Sequence, residues 1–366
     1  MTADHPSAVG SVAPATGPTP RVDLFLLAGQ FPGTDHTTTL RTAVDYAEAA
    51  EAAGFHGVWL AEHHFISYGV CPSATVLAGY LLGHTSTLRV GTAAAILSNR
   101  HPVALAEEAT LLDAVSGGRF DLGVARGGPW VDLEVFGTGL HRFTHGFAES
   151  LDLLIAARSG KPTVRADGEH FRFRDVTVVP RPPRQRPVWV AATSSSTVDI
   201  AAQRGQPLLL GMHDNDTAKA AMLNRYATTA DQAGHDPDAI DHASAHLAFV
   251  ADTVGQAETA LRAALPGWLA RTREYTRIDG APATRRDLDA YVEHLLAVHP
   301  VGPPQRCIER LHASCAATGA RHLLLMVEGG GHPDLTLETI NRLGAEVLPA
   351  LRHGHCRAAP PRPRRR

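Results

Sequence analysis

Short apolar runs alternate along this chain with longer stretches whose apolar residues recur every three or four positions. The short runs fall at 22–27, 57–61, 88–95, 119–125, 187–192, 207–210, 246–250 and 321–327. Most are apolar without interruption, as expected of parallel strands buried on both faces. Amphipathic stretches lie between them. In 38–53, Leu40, Val44 and Ala47 share one side, and Gly54 stands where a C-cap belongs. In 102–116 the stripe is Leu105, Ala109, Leu112 and Val115, stopped by Gly117 and Gly118. Leu337, Ile340, Leu343 and Val347 trace the face of a final helix. Eight strands alternating with helices predict an α/β fold, a single (β/α)8 TIM barrel, over a doubly wound sheet.

The barrel domain is expected over 21–352. Residues 1–20 are rich in Pro, Ala, Ser and Thr without a basic start and an apolar centre, and read as a disordered leader instead of a signal peptide. Residues 353–366 read as a basic, disordered Pro/Arg tail. Two insertions interrupt the barrel pattern. Residues 162–182, with His170-Phe171-Arg172-Phe173-Arg174, read as a β-hairpin. Residues 266–304 form a long connection before the last strand, with arginines from Arg271 to Arg286, and read as a lid.

Composition removes several classes. The 366 residues are 44% hydrophobic with a formal net charge of −3, so no overall basic field exists to hold nucleic acid. No apolar run reaches the roughly 18 residues of a membrane span. Four cysteines without a CxxC pair read as reduced thiols of a cytoplasmic protein, and no zinc-ribbon spacing occurs.

Candidate chemistry collects where the predicted strands end. Glu62-His63-His64 follows the second strand. Neighbours in extended chain point opposite ways, so one histidine faces the pocket and the other supports it, with Glu62 orienting either ring. An acid/base or cofactor-facing role is the favoured reading; structural histidines and a metal site compete with it. A metal site needs further ligands, and the first strand ends Leu26-Leu27-Ala28, which supplies none. After the fourth strand, Arg126 stands beside Gly127 and Gly128, a guanidinium fork suited to phosphate. After the fifth, Thr193, Ser194 and Thr197 open a helix and can cap it or reach an anion. Strands four and five neighbour each other in a barrel, so these two pieces converge. No GxGxxG or Walker loop follows a strand, and Gly329, Gly330 and Gly331 lack the spacing. A nicotinamide site is therefore not expected.

Taken in order, several fragments carry a resemblance. They are Glu62-His63-His64-Phe65, Val90-Gly91-Thr92-Ala93-Ala94, His101-Pro102-Val103, Leu111-Leu112-Asp113 with Gly118-Arg119-Phe120, and Val135-Phe136-Gly137-Thr138. Ile240-Asp241-His242, Pro300-Val301-Gly302, Cys307-Ile308 and Ala317-Thr318-Gly319 continue the series. From about residue 22 to 350 the chain resembles the α chain of bacterial luciferase, a family of flavin-dependent monooxygenases. The resemblance implies reduced FMN (FMNH2), O2, a small organic substrate and a separate NAD(P)H-flavin reductase. It implies oxygenation through a flavin C4a-hydroperoxide, and pairing into a dimer, here a homodimer. It places the phosphate arginine on Arg126 and the hydroxyl turn on Thr193, Ser194 and Thr197. The catalytic histidine falls on His63, with His64 and Glu62 as partners, and a non-proline cis peptide under the flavin falls at Ala93 and Ala94. A tryptophan near the pocket falls on Trp268. The chain departs from luciferase at Ala125, where a reactive cysteine stands, at Met212, a second tryptophan position, and at Arg142 and Thr144, where an arginine is displaced. These departures weigh against light emission and a long-chain aldehyde, and towards a secondary-metabolite intermediate of antibiotic biosynthesis. An F420-dependent dehydrogenase and a non-catalytic flavin-binding subunit are the rival readings.

Overall fold

The computed structural model describes residues 19–282 and 286–353. Apart from Thr19, Pro20 and His353, the expected leader and tail lie outside the described residues, as do Arg285 in the lid and Cys356.

Eight parallel staves close into a barrel: β1 (Arg21–Leu26), β2 (Gly57–Leu60), β3 (Arg89–Thr92), β4 (Phe120–Ala125), β5 (Val188–Ala192), β6 (Leu208–Leu210), β7 (Ala243–Leu247) and β8 (His322–Met326). Each pairs with the next in sequence, and β8 returns to β1 with Leu24 opposite Leu325. Around them run α1 (His36–Ala52), α2 (Ala74–His84), α3 (Pro102–Val115), α4 (Phe147–Ala157), α5 (Ser195–Ala202) and α6 (Asp216–Gln232). Three helices follow β7: α7 (Val254–Leu269), α8 (Leu288–Val298) and α9 (Pro304–Thr318); α10 (Pro333–Arg342) follows β8. No helix among the described residues is long and apolar enough to cross a membrane.

Two details differ from the sequence pattern. The seventh stave is Ala243–Leu247, whereas the apolar signal centred on 246–250 marks Phe249–Val250, which pairs with Val301–Gly302 in a separate two-stranded sheet. The stave's small and polar residues, Ala243, Ser244, Ala245 and His246, hid it. The run at 88–95 breaks after Thr92, at the Ala93–Ala94 peptide, which is cis. The hairpin is present, with Thr163–Asp167 antiparallel to Arg172–Thr177.

Packing explains which end of the barrel is open. Large side chains fill the bore: Trp59 meets Trp189 edge-on, 5.3 Å between ring centres. Gly91 makes room, since a Cβ there would lie 2.6 Å from the Trp59 indole. Trp59 Nε1 and His322 Nε2 both reach Asp23, each at 2.8 Å. Burial alone would raise the Asp23 carboxyl, but His322, His56 and Arg21 hold it well below the usual range. Below them Asp121 takes ion pairs from Arg89 at 2.6 Å and Arg186 at 3.3 Å, and Arg186 reaches Asp113 at 2.9 Å. This charged floor seals the N-terminal end, leaving chemistry to the C-terminal loops.

Candidate active site

The exits of β4 and β5 bring an arginine to a helix start. Ser194 caps α5, its Oγ accepting the Thr197 N–H at 3.4 Å and lying 3.1 Å from Thr197 Oγ1. Arg126 Nη2 donates to Thr197 Oγ1 at 3.4 Å, and its guanidinium sits 5.5 Å from the centre of the Phe143 ring. No carboxylate among the described residues pairs with it. A guanidinium fork without a carboxylate partner, the half-buried Ser194 and buried Thr197 hydroxyls and the positive end of α5 therefore face one place, an arrangement that fits a phosphate monoester. Thr193 lies exposed at the same turn.

The β2 exit separates its two histidines. His63 turns to the mouth of the barrel, its ring edge-on to Tyr68 with 5.2 Å between centres. Its Nδ1 is buried without a hydrogen-bond partner among the described residues, and burial lowers the ring to about 4, so the imidazole is neutral near pH 7. Gly69 supports it closely; a Cβ there would meet His63 Nδ1 at 2.5 Å and the Leu27 carbonyl at 2.7 Å. His64 turns the other way, against Phe136, with Nε2 3.5 Å from Glu62. Glu62 is buried and accepts the N–H groups of Ala74 at 3.0 Å and Ile96 at 3.1 Å and the Arg100 guanidinium at 2.8 Å. Burial opposes ionisation of Glu62, yet His64 and Arg100 hold its carboxyl below the usual range. Glu62 thus orients His64, not His63, and fixes the chain just beyond Ala93 and Ala94.

A cavity of about 740 Å³ opens beside His63. Most of its wall comes from the 266–304 insertion, notably Tyr275, Arg286 and Tyr291, with Tyr68, Trp130 and His213 opposite. The insertion is stitched down on two sides. Ser67 N and Oγ bind the Glu274 carboxylate at 2.6 and 2.7 Å. Val131 N meets Thr276 O at 2.9 Å and Ile278 N meets Pro129 O at 3.0 Å, with Tyr275 stacked on Trp130. The three residues expected in the substrate pocket fare differently. Ala125 is half-buried at the end of β4. Trp268 is fully buried behind Tyr68, stacked on it and donating to its carbonyl at 2.7 Å, so it shapes the wall from behind. Met212 is buried with its carbonyl held by His299 Nε2 at 2.7 Å, and the next residue, His213, reaches the cavity instead. His213 hydrogen-bonds Tyr291, and burial lowers it to about 4. Its place at a strand end was the available signal for it.

Glu328, just past β8, holds the β1 exit by accepting the Leu27 and Gly29 N–H groups at 2.6 and 3.0 Å. Burial pushes its carboxyl from 4.5 up to about 7 despite those donors. Between these values the folded protein keeps a proton that the unfolded chain has released. This contribution to stability is full below about 4.5 and is lost as pH rises through about 7. We expect the wild type to lose about 2–3 kcal/mol relative to Glu328→Gln between pH 4.5 and 8 in urea unfolding; a pH-independent difference would contradict it.

Comparison with known proteins places this architecture. The family model described as luciferase-like monooxygenase matches residues 21–322. The alkanal monooxygenase alpha chain of Photorhabdus laumondii is 33% identical over 348 residues, covering 90% of this chain and 97% of that protein. Among solved structures, the oxygenating constituent of 3,6-diketocamphane monooxygenase from Pseudomonas putida, a type II Baeyer-Villiger enzyme in complex with FMN, superposes with a TM-score of 0.73 at 19% identity. It covers 90% of this chain and 98% of that one. An F420-dependent secondary alcohol dehydrogenase gives 0.70 at 17% identity, covering 91% and 99%. These two likenesses show the barrel; the sequence match goes further, and the chain belongs to the luciferase-like monooxygenase family of oxidoreductases.

Proposed function

We propose that this protein is the oxygenase of a two-component system, using FMNH2 and O2 to oxygenate a small organic substrate, with reduced flavin supplied by a separate NAD(P)H-flavin reductase. The observation that carries it is the convergence of Arg126 with the Ser194–Thr197 turn at the same end of the barrel as the His63 cavity. Arg126, Ser194 and Thr197 hold the phosphate, fixing the cofactor's reach along the barrel mouth. Bound reduced FMN supplies the electrons that activate dioxygen. His63, neutral near pH 7 and lining the cavity, takes or returns one proton at the reacting centre. Tyr68, Trp130, Tyr275 and Tyr291 keep water away and suit a flat, ring-bearing molecule, such as a secondary-metabolite intermediate.

Two further features support the cellular setting. Cys71 and Cys307 are buried and unbridged among the described residues, in keeping with the cytoplasm. Val76 and Tyr80 on α2 and Leu111 and Val115 on α3 are exposed at i,i+4 spacing, an apolar face suited to a second copy of the chain.

The test is turnover of candidate substrates with FMN, NADH and a flavin reductase under 18O2. One labelled oxygen in the product is expected. Unlabelled product formed without oxygen, with F420 in place of FMN, would replace this reading by the dehydrogenase; neither outcome with any substrate would favour the non-catalytic subunit.

A further inference from the structure

The hairpin tip and the short helix Gly139–His145 bring together His141, Glu169 and His170, whose ligand atoms all lie within 4.8 Å of one another. His141 Nε2 is 3.5 Å from Glu169 Oε1. Two donors bound to one tetrahedral zinc at about 2.0–2.1 Å stand about 3.3–3.4 Å apart, so this pair is already at coordination spacing. The imidazole rings of His141 and His170 are 5.3 Å apart between centres. His145 lies one helical turn from His141, with 5.1 Å between ring centres, but outside the three-residue cluster.

The ligand-bearing tip is held before any ion arrives. The Glu149 carboxylate on α4 accepts the N–H groups of Glu169, His170 and Phe171 at 3.2, 3.1 and 2.9 Å. Gly168 permits that approach, since a Cβ there would lie 2.1 Å from Glu149 Oε1. Gly146 lets His170 pack on the helix end, where a Cβ would lie 3.0 Å from its ring. This fixed turn limits the ordering that metal binding would otherwise require.

We propose that His141, Glu169 and His170, completed by water, form a binding site for a zinc-class divalent cation. Imidazole nitrogen with a single carboxylate selects zinc and its neighbours over magnesium or calcium, which prefer oxygen ligands. The site clamps the hairpin to the helix that carries Arg142 and Phe143, and Phe143 is the ring beneath Arg126. It is separate from the proposed flavin chemistry and stands without it.

The experiment titrates ZnCl2 and MgCl2 into the full chain and into His141→Ala/His170→Ala, reading zinc stoichiometry by calorimetry and Tm by scanning. The wild type is expected to bind one more zinc than the double variant. At saturating zinc its Tm is expected to rise by about 2–4 °C more, with no response to magnesium in either protein. Glu169→Gln, a milder change on an exposed residue, is expected to weaken zinc binding about tenfold or more. Equal zinc stoichiometry and equal Tm response in the wild type and the double variant, through binding elsewhere or none, would overturn the proposal.

Discussion

His63→Ala is expected to keep FMN affinity while losing about 10²- to 10⁴-fold in product formation, the usual range for removing a positioned acid/base group. The expectation follows from where the ring stands. The ring lines the cavity, its Nδ1 buried against Gly69, while Arg126 and the Ser194–Thr197 turn lie at the ends of β4 and β5. Because burial lowers His63 to about 4, the neutral form prevails above that value. As proton acceptor, His63 leaves rate flat with pH from about 5 upward and costs activity only as pH falls towards 4. Product yield per NADH consumed, with a separate flavin titration, checks both halves. Full coupled turnover in the variant would remove the role.

Arg126→Ala is expected to weaken FMN binding about 10- to 100-fold, because a charge-assisted hydrogen bond contributes about 1.5–3 kcal/mol. Riboflavin, which lacks the phosphate, is expected to bind both proteins alike. That control separates phosphate recognition from a general disturbance of the β4 exit. Arg126 makes no ion pair among the described residues, so its removal leaves no buried carboxylate stranded to confuse the result. Equal FMN affinity in the two proteins would contradict the anchor.

Much of this was legible from local pattern. Seven staves announced themselves because their side chains are apolar on both faces. The β7 stave did not, since Ala243, Ser244 and Ala245 give a weak signal although the position is fully interior. The meeting of Arg126 with the Ser194–Thr197 turn was legible because they lie at ends of adjacent staves, a relation the barrel imposes. The 266–304 insertion was legible as a lid from its length, but its fastening was not. Its two fastenings, Ser67 to Glu274 and Val131 to Thr276, join residues far apart in sequence, and periodicity carries no trace of such meetings. The same distance accounts for Trp268, whose place behind Tyr68 depends on a contact across the whole molecule. Glu62 showed its carboxylate in sequence, but which histidine it steadies depended on the path of the chain to Ile96 and Arg100.

The backbone bonds from 276 and 278 to 131 and 129 land three to five residues beyond Arg126. Between them lie Gly127 and Gly128, one at φ +80° and the other so tight against Trp130 that a Cβ would strike the indole at 2.0 Å. Little slack exists in that span. The cap over the mouth is thus joined to Arg126 through a span of only a few residues. On the proposed function, cofactor loading and sealing of the cavity are expected to be coupled through this span, with reduced flavin binding before the second reactant.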